Sequence, residues 1–226
     1  MATKNIAGCD LKLGRDVSDY LARMGVETPM NDAYKDWNSN HADLDWIEDK
    51  FAEILMSLGL NLDDDSLKDT PTRVAKMYVN EIFKGLDYRH FPKCTTIENR
   101  MGVDEMVLVK DISVWSVCEH HLVPFVGTAC VAYIPGTKIL GLSKFNRVVD
   151  FFSRRPQVQE RLTEQCFHAL SLILETKDIA ITMNCVHNCV RLRGVRDVNS
   201  STTTSKMGGK FMEKPAARAE FLHLSR

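Results

Sequence analysis

Four consecutive residues in the stretch SVWSVCEHHLVPF (113–125) carry groups that could bind a metal or move a proton: Cys118, Glu119, His120 and His121. In a flat strand Cys118 and His121 would point to opposite faces, so they can share an ion only if the chain turns after Cys118. Pro124 is typical of such a turn. A thiolate and an imidazole favour zinc. The cluster is equally compatible with an acid–base pair, a redox thiol or chance.

A third ligand is expected from HNCVRLRG (187–194), which the pattern predicts to be a strand. Residues two apart on a strand share a face, and here that face would be polar, made of His187, Cys189, Arg191 and Arg193. Cys189 with Cys118 and His121 gives three protein ligands, the number typical of a catalytic zinc with one open position. Cys185 lies on the same face and is the alternative ligand, although its apolar neighbours favour a core thiol.

The remaining polar residues of the two stretches have two interpretations each. His120 and His187 could be general acid–base groups, which need a pKa near neutrality, or could simply support the ligands by hydrogen bonds. Glu119 could orient a neighbouring side chain or could be solvated. Proximity to a metal favours the acid–base interpretation for both histidines and the orienting one for Glu119.

Basic residues recur where an anion could bind. Ser143, Lys144 and Arg147 open a predicted helix, whose free N–H groups and dipole attract anions. Arg73 and Lys76 lie just inside a helix predicted from Thr70, and Arg193 shares its predicted strand with Cys189. If these groups converge, they would hold several phosphates beside the metal. MGGKF (207–211) lacks the spacing of a phosphate-binding P-loop.

The first turn of another predicted helix, in RRPQVQERL, contains Gln159 and Glu160. A carboxylate at this position could accept two hydrogen bonds from adjacent N–H donors of a heterocycle. Compensation of the helix dipole by Glu160 is the structural alternative, and the spacing leaves both open.

The elements that must position these groups follow from hydrophobic periodicity. Helical patterns occupy most of the first 85 residues, with a loop at 27–40. Valine- and isoleucine-rich strands are predicted at 105–118, 126–136, 178–186 and 187–194, with helices from Ser143 and Pro156 between the second and third strand. This order, ββααββ, predicts an α+β fold in which two helices cover one face of an antiparallel sheet. We expect an N-terminal helical region at 1–95 and a catalytic domain at 96–226.

Composition narrows the class of protein. The formal net charge is −1 over 226 residues, so no overall basic field indicates nucleic acid as a partner. No apolar run reaches the length of a membrane span, and the first residues lack the apolar core of a signal peptide. Seven scattered cysteines are an odd number and predict free thiols in a reducing compartment, by default the cytoplasm.

Taken together, CEHHLVPF, GLSKFNRVVDFFSRRPQVQERLT, VHNCVRLRG and DTPTRVAKMY resemble the zinc-dependent GTP cyclohydrolase I family, from about Leu44 to the C-terminus. The resemblance implies a tunnelling fold and a toroidal homodecamer with sites at subunit boundaries. It also implies hydrolysis of GTP to formate and 7,8-dihydroneopterin triphosphate, the first step of folate or pterin biosynthesis.

The resemblance further implies a role for each candidate residue. Zn²⁺ would be bound by Cys118, His121 and Cys189. His120 would donate a proton to the guanine imidazole ring, and His187 would transfer protons during ribose opening. Gln159 and Glu160 would hold the guanine edge. The triphosphate would be held by Arg73, Lys76, Ser143, Lys144, Arg147 and Arg193.

Two other functions compete with this one. Another pterin or purine enzyme of the same fold would not need the zinc set together with a triphosphate clamp. A zinc-stabilised binding module would have a structural metal, which a fourth protein ligand would indicate and a zinc-bound water would oppose.

Overall fold

The computed structural model describes residues 6–34 and 42–226. Its α-helices are Leu11–Met24 (α1), Leu44–Ser57 (α2), Thr70–Met77 (α3), Ser143–Ser153 (α4), Gln159–Leu174 (α5), Asn188–Arg191 (α6), Lys210–Glu213 (α7) and Pro215–Leu224 (α8). Its strands are Thr96–Glu98 (β1), Val107–Cys118 (β2), Pro124–Tyr133 (β3), Lys138–Leu140 (β4), Pro156–Gln157 (β5), Ile179–His187 (β6) and Thr202–Met207 (β7). A π-helical turn at Tyr78–Ile82 extends α3.

The main sheet has five strands in the order β5-β2-β3-β6-β7, and a separate pair joins β1 to β4. The neighbours from β2 to β7 are antiparallel, whereas the short β5 runs parallel to β2. With α4 and α5 between β3 and β6 in the chain, this confirms the ββααββ order and the α+β tunnelling fold expected from the sequence.

Side-chain alternation on β3 divides the apolar residues between two layers. Ala129 and Val131 face the larger core, which they share with α4 and α5. Cys130 and Ala132 face the opposite way and join a smaller cluster with Phe211 and Phe221 near the C-terminus. Both long helices therefore lie on one face of the sheet, as predicted.

The predicted strand at 187–194 is wrong. The strand β6 ends at His187, and the next four residues form the helix α6. Val190 and Leu192, which a strand would place on the face opposite Cys189 and towards a core, are exposed. The fourth long strand is instead β7, in the threonine-rich run that follows. Because β7 is an edge strand with five of its six residues at least partly exposed, β-branched threonines suit it better than apolar residues.

The predicted helix from Pro156 also begins later than expected. Pro156 and Gln157 form β5, which pairs with Val117 and Cys118, and α5 starts at Gln159. This short parallel pairing connects the start of α5 directly to the end of β2. It therefore fixes the position of the two stretches that contain most of the candidate site.

A buried guanidinium ties the N-terminal region to the sheet. Arg155 is fully buried, and its Nη1 donates to Thr28 Oγ1 at 3.1 Å and to the Tyr88 hydroxyl at 3.2 Å. Its carbon Cζ lies 4.9 Å from the ring centres of Phe151 and Phe152, which is a cation–π arrangement. The division into 1–95 and 96–226 remains a prediction.

None of the helices among residues 6–34 and 42–226 is both long and apolar enough to cross a membrane.

Candidate metal and substrate site

The chain turns after Cys118, as a shared metal site requires. The Leu122 N–H donates to the Cys118 carbonyl at 2.8 Å, and the Cys118 N–H donates to the Val123 carbonyl at 2.9 Å. Leu122 adopts a left-handed backbone with φ of 51°, which is unusual for a branched side chain and closes the turn. We call residues 118–123 the metal turn.

Cys189 reaches the metal turn from α6 rather than from a strand. Because β3 pairs with β6 in the register Phe125 to His187, the end of β6 lies beside the metal turn, and the helical step after His187 directs Cys189 towards it. The potential ligand atoms of Cys118, His121 and Cys189 all lie within 4.8 Å of one another. Cys118 is buried, Cys189 is half-buried and His121 is exposed, so the group has one open side.

The electrostatics of the two thiols fit a bound cation. Burial raises the pKa of Cys189, and a hydrogen bond and charge repulsion from Cys118 raise it further. Two thiolates this close repel each other unless a positive ion lies between them. A soft sulfur pair with an imidazole is a donor set that suits zinc.

Cys185, the alternative ligand, lies apart from this group. It is fully buried in the main core, and burial raises its pKa to about 12. Its thiol faces the core, and it is not among the side chains whose ligand atoms converge within 4.8 Å.

Glu119 faces inward to the start of α5. Arg161 donates to both of its carboxylate oxygens, with Nη1 2.5 Å from Oε2 and Nη2 3.3 Å from Oε1. The Glu119 N–H also donates to the Gln157 carbonyl at 2.9 Å. These contacts join the metal turn to the helix start that contains Gln159 and Glu160. Arg161 was not predicted from the sequence as a site residue. Its position directly after Gln159 and Glu160 was the only feature that could have indicated it.

The two candidate acid–base histidines have different surroundings. The Nδ1 of His120 is 3.7 Å from Cys118 Sγ, and the ring itself is exposed. His187 is half-buried and stacks on Phe125, with ring centres 4.6 Å apart and planes within 11°. Burial lowers the pKa of His187, while the nearby charge of Glu160 acts in the opposite direction. Phe125 is a second contributor that sequence reasoning missed.

Arg193 contacts the metal turn directly. Its Nη1 lies 2.8 Å from Nε2 of His121. A guanidinium can only donate, so this imidazole nitrogen accepts the hydrogen bond from Arg193. Of the basic residues proposed for an anion, Arg193 is therefore placed beside the cysteines.

Ser143, Lys144 and Arg147 lie at the other end of the sheet. Their helix α4 ends at Ser153, just before β5 pairs with Cys118, so its first turn points away from the metal turn. The strand β3 alone spans about 26 Å between Phe125 and Tyr133, from the rise per residue of a strand. Burial raises the pKa of Cys94 to about 12 while Lys144 and Arg147 oppose it, which locates both cations near Cys94.

Arg73 and Lys76 are exposed residues of α3, which packs against α2 rather than against the sheet. Arg73 pairs with Asp69 at 3.1 Å. One chain thus brings together the metal turn, His187, Glu160 and Arg193. It does not bring the other candidate anion-binding residues, on α3 and at the start of α4, to this site.

Comparison with known proteins agrees with the motifs. Residues 47–226 match the family model described as GTP cyclohydrolase I. The chain is 58% identical over 206 residues to "GTP cyclohydrolase 1" of Shewanella baltica (strain OS185), covering 91% of this chain and 94% of the relative. It is 57% identical, with the same coverage, to "GTP cyclohydrolase 1" of Shewanella oneidensis.

Among solved structures, the archaeosine synthase QueF-Like in the apo form aligns with a TM-score of 0.39 and 18% identity, over 46% of this chain and 94% of that chain. This TM-score is too low to define a shared fold.

Proposed function

The chain belongs to the GTP cyclohydrolase I family, and from that premise we propose that the metal turn and the start of α5 form its ring-opening site. The enzyme hydrolyses GTP, opens the imidazole ring of guanine, releases formate and forms 7,8-dihydroneopterin triphosphate. The observation that carries the assignment to this site is the convergence of Cys118, His121 and Cys189 within 4.8 Å, with His120 beside Cys118.

Zinc is the proposed metal, held by those three side chains. Three protein ligands and one open side match a catalytic zinc, which lowers the pKa of a bound water towards neutrality. A structural zinc would need a fourth protein ligand, and no fourth cysteine, histidine or carboxylate joins this group among the described residues.

The side chains around the zinc ligands have distinct proposed tasks. His120, exposed beside Cys118, donates a proton to the imidazole ring of guanine and so makes the carbon between its nitrogens electrophilic. His187 transfers protons during opening of the ribose. Glu160, exposed in the first turn of α5, accepts hydrogen bonds from the N–H groups of the guanine edge. Arg193 binds phosphate beside the metal.

A second chain is proposed to supply the rest of the triphosphate site. Ser143, Lys144 and Arg147, with Arg73 and Lys76, lie away from the metal turn of their own chain. Within the described part of one chain, β7 and most of β2 have an unpaired sheet edge, since β5 pairs with only two residues of β2. Pairing these edges between neighbours would close the sheets into a ring, and a homodecamer is the assembly that the family resemblance implies.

The cytoplasm is the proposed location. All seven cysteines are free, and the metal site needs Cys118 and Cys189 reduced, which a reducing compartment maintains.

The test of the function is product analysis with a variant that separates chemistry from binding. Zinc-loaded protein incubated with GTP should release one formate for each pterin formed. The pterin is detected by its fluorescence after oxidation. His120→Ala should keep zinc and bind GTP while turnover falls by about 10²–10⁴-fold, the range for loss of a general acid. Turnover of GTP without formate, or an unimpaired His120→Ala protein, would contradict the proposal.

A further inference from the structure

The side chain of Gln159 is almost fully buried, and its orientation is determined by its surroundings. Its Nε2 lies 3.0 Å from the Met183 carbonyl and 2.9 Å from the Thr202 carbonyl. Carbonyl oxygens only accept, so the atom that faces them must be the NH₂ group of the amide. A flipped amide would place its oxygen against two carbonyl oxygens, which repel it.

The fixed amide determines the state of the histidine next to it. The Oε1 of Gln159 lies 2.8 Å from Nε2 of His187. This oxygen can only accept a hydrogen bond, so the histidine nitrogen that faces it must carry a proton. In a neutral imidazole only one nitrogen is protonated, which leaves Nδ1 with the lone pair.

Two threonines complete a network in which every direction is consistent. Thr163 Oγ1 donates to the backbone carbonyl of Gln159 at 2.9 Å, and this bond uses the single proton of the Thr163 hydroxyl. Thr204 Oγ1, 2.7 Å away, must therefore be the donor to Thr163, and its lone pair faces Gln159 Nε2 at 3.1 Å. Three acceptors thus surround the two amide protons, one of which is shared between two of them. No bond in this network allows Gln159 to turn its amide over without leaving a buried polar atom unpaired.

We propose that Gln159 is a positioning residue that holds neutral His187 as the Nε2–H tautomer, with Nδ1 as the proton-accepting atom. The inference rests on the proposed role of His187 in proton transfer. Stacking on Phe125 fixes the plane of the ring, and Gln159 fixes which nitrogen accepts. The side chain of Gln159 is then fully engaged within the protein, so holding the guanine edge is a task for Glu160 and not for the Gln159 amide.

The direct test is the ¹⁵N spectrum of zinc-loaded, ¹⁵N-histidine-labelled full-length protein, because the two neutral tautomers have distinct nitrogen shifts. The His187 signals are assigned as those missing from His187→Gln. The expected result is a protonated Nε2 and an unprotonated Nδ1. The opposite tautomer, or an average of the two, would overturn the inference. This measurement needs no change at Gln159, so it holds even if variants there do not fold.

Kinetics supply the second test. Gln159→Leu should retain zinc, lower kcat by about 10²-fold through loss of the oriented base and change KM less than about threefold. Its ¹⁵N spectrum should show the tautomers mixed. If Gln159 instead contacts guanine, KM should rise with kcat unchanged, which would overturn the inference.

The matched control is Gln165→Leu, on the same helix. Gln165 is also buried, and its amide donates to the Val26 carbonyl at 2.9 Å, away from His187. This variant should lose stability while kcat and the His187 signals stay as in the wild type; an equal fall in kcat would show that any buried amide matters and would overturn the inference. Absence of pterin formation by the wild-type protein would instead contradict the proposed function, and the tautomer could still be measured.

Discussion

Cys118, His121 and Cys189 come from a turn and a short helix, so their relative position depends on backbone features outside the three side chains. The left-handed Leu122 closes the turn, and the pairing of Phe125 with His187 sets the distance to α6. At the residue scale, the choice between Cys189 and Cys185 is the sharpest question, since the sequence allowed either.

We expect one zinc per chain, and we expect Cys189→Ser to lose it while Cys185→Ser retains it. Cys189 lies with the other two ligands, whereas the Cys185 thiol is buried in the core away from them. Metal content after gel filtration, measured by mass spectrometry, checks this. Each serine variant is the control for the other, because both remove a single sulfur atom. Full occupancy in Cys189→Ser with loss in Cys185→Ser would reverse the assignment.

At the scale of elements, the site depends on close contact between β3 and β6. Gly127 of β3 faces Cys185 of β6, and a Cβ at this position would lie 2.0 Å from the Asn184 carbonyl oxygen and 2.6 Å from the Cys185 Cα. Both of these atoms are backbone, so a side chain at Gly127 would force the strands apart. Such a shift would separate the metal turn from Cys189.

Gly127→Ala should therefore destabilise the protein by about 2 kcal/mol or more, as expected for an overpacked core, and should weaken zinc binding as well. Thermal unfolding at a fixed protein concentration and a zinc titration measure the two effects. The control is Gly136→Ala, where an added Cβ meets no atom within 4 Å. Equal stability of the two variants would mean that β3 and β6 tolerate separation.

The sequence predicted the helices and strands better than it predicted how they position the candidate metal ligands. Hydrophobic periodicity located α4, α5 and the strands that precede and follow them, because those elements bury regular apolar faces. It failed at 187–194, where the alternation of polar and apolar residues resembles a strand but Val190 and Leu192 are exposed on α6. Cys189 was identified through the shared face of that predicted strand, and it reaches the metal turn through the helical step of α6 instead.

Contacts between distant residues could not be predicted in the same way. The pairing of Glu119 with Arg161 and the burial of Arg155 among aromatic rings depend on how β5 lies against β2. Hydrogen-bond directions around Gln159 likewise depend on carbonyls from β6 and from Thr202 at the start of β7. Sequence patterns carry no record of such long-range geometry, so they could not predict which atoms the amide of Gln159 contacts.

At the scale of the whole molecule, a single chain exposes apolar side chains and unpaired sheet edges. The helix α2 has no fully buried residue, and Trp46 and Met56 on it are 60% and 54% exposed. Exposed apolar surface of this kind is typical of protein contact sites, and open sheet edges are available for pairing with another chain. A ring of identical chains would cover both and would bring the first turn of α4 in one chain towards the metal turn of another.

We propose that the zinc ligands and the triphosphate-binding residues of one site come from two chains. Subunit mixing between two variants, each defective in one part, tests this directly. Cys118→Ser and Arg147→Ala proteins, each nearly inactive, are dissociated, mixed in equal amounts and reassembled. If the two chains that form a site are drawn at random, about a quarter of the sites should combine an intact metal turn with an intact Arg147. Activity should recover far above the sum of the parents, and it should not recover when Cys118→Ser is mixed with Cys189→Ser. Confirmed subunit exchange without recovery, or full activity of an isolated monomer, would contradict this proposal.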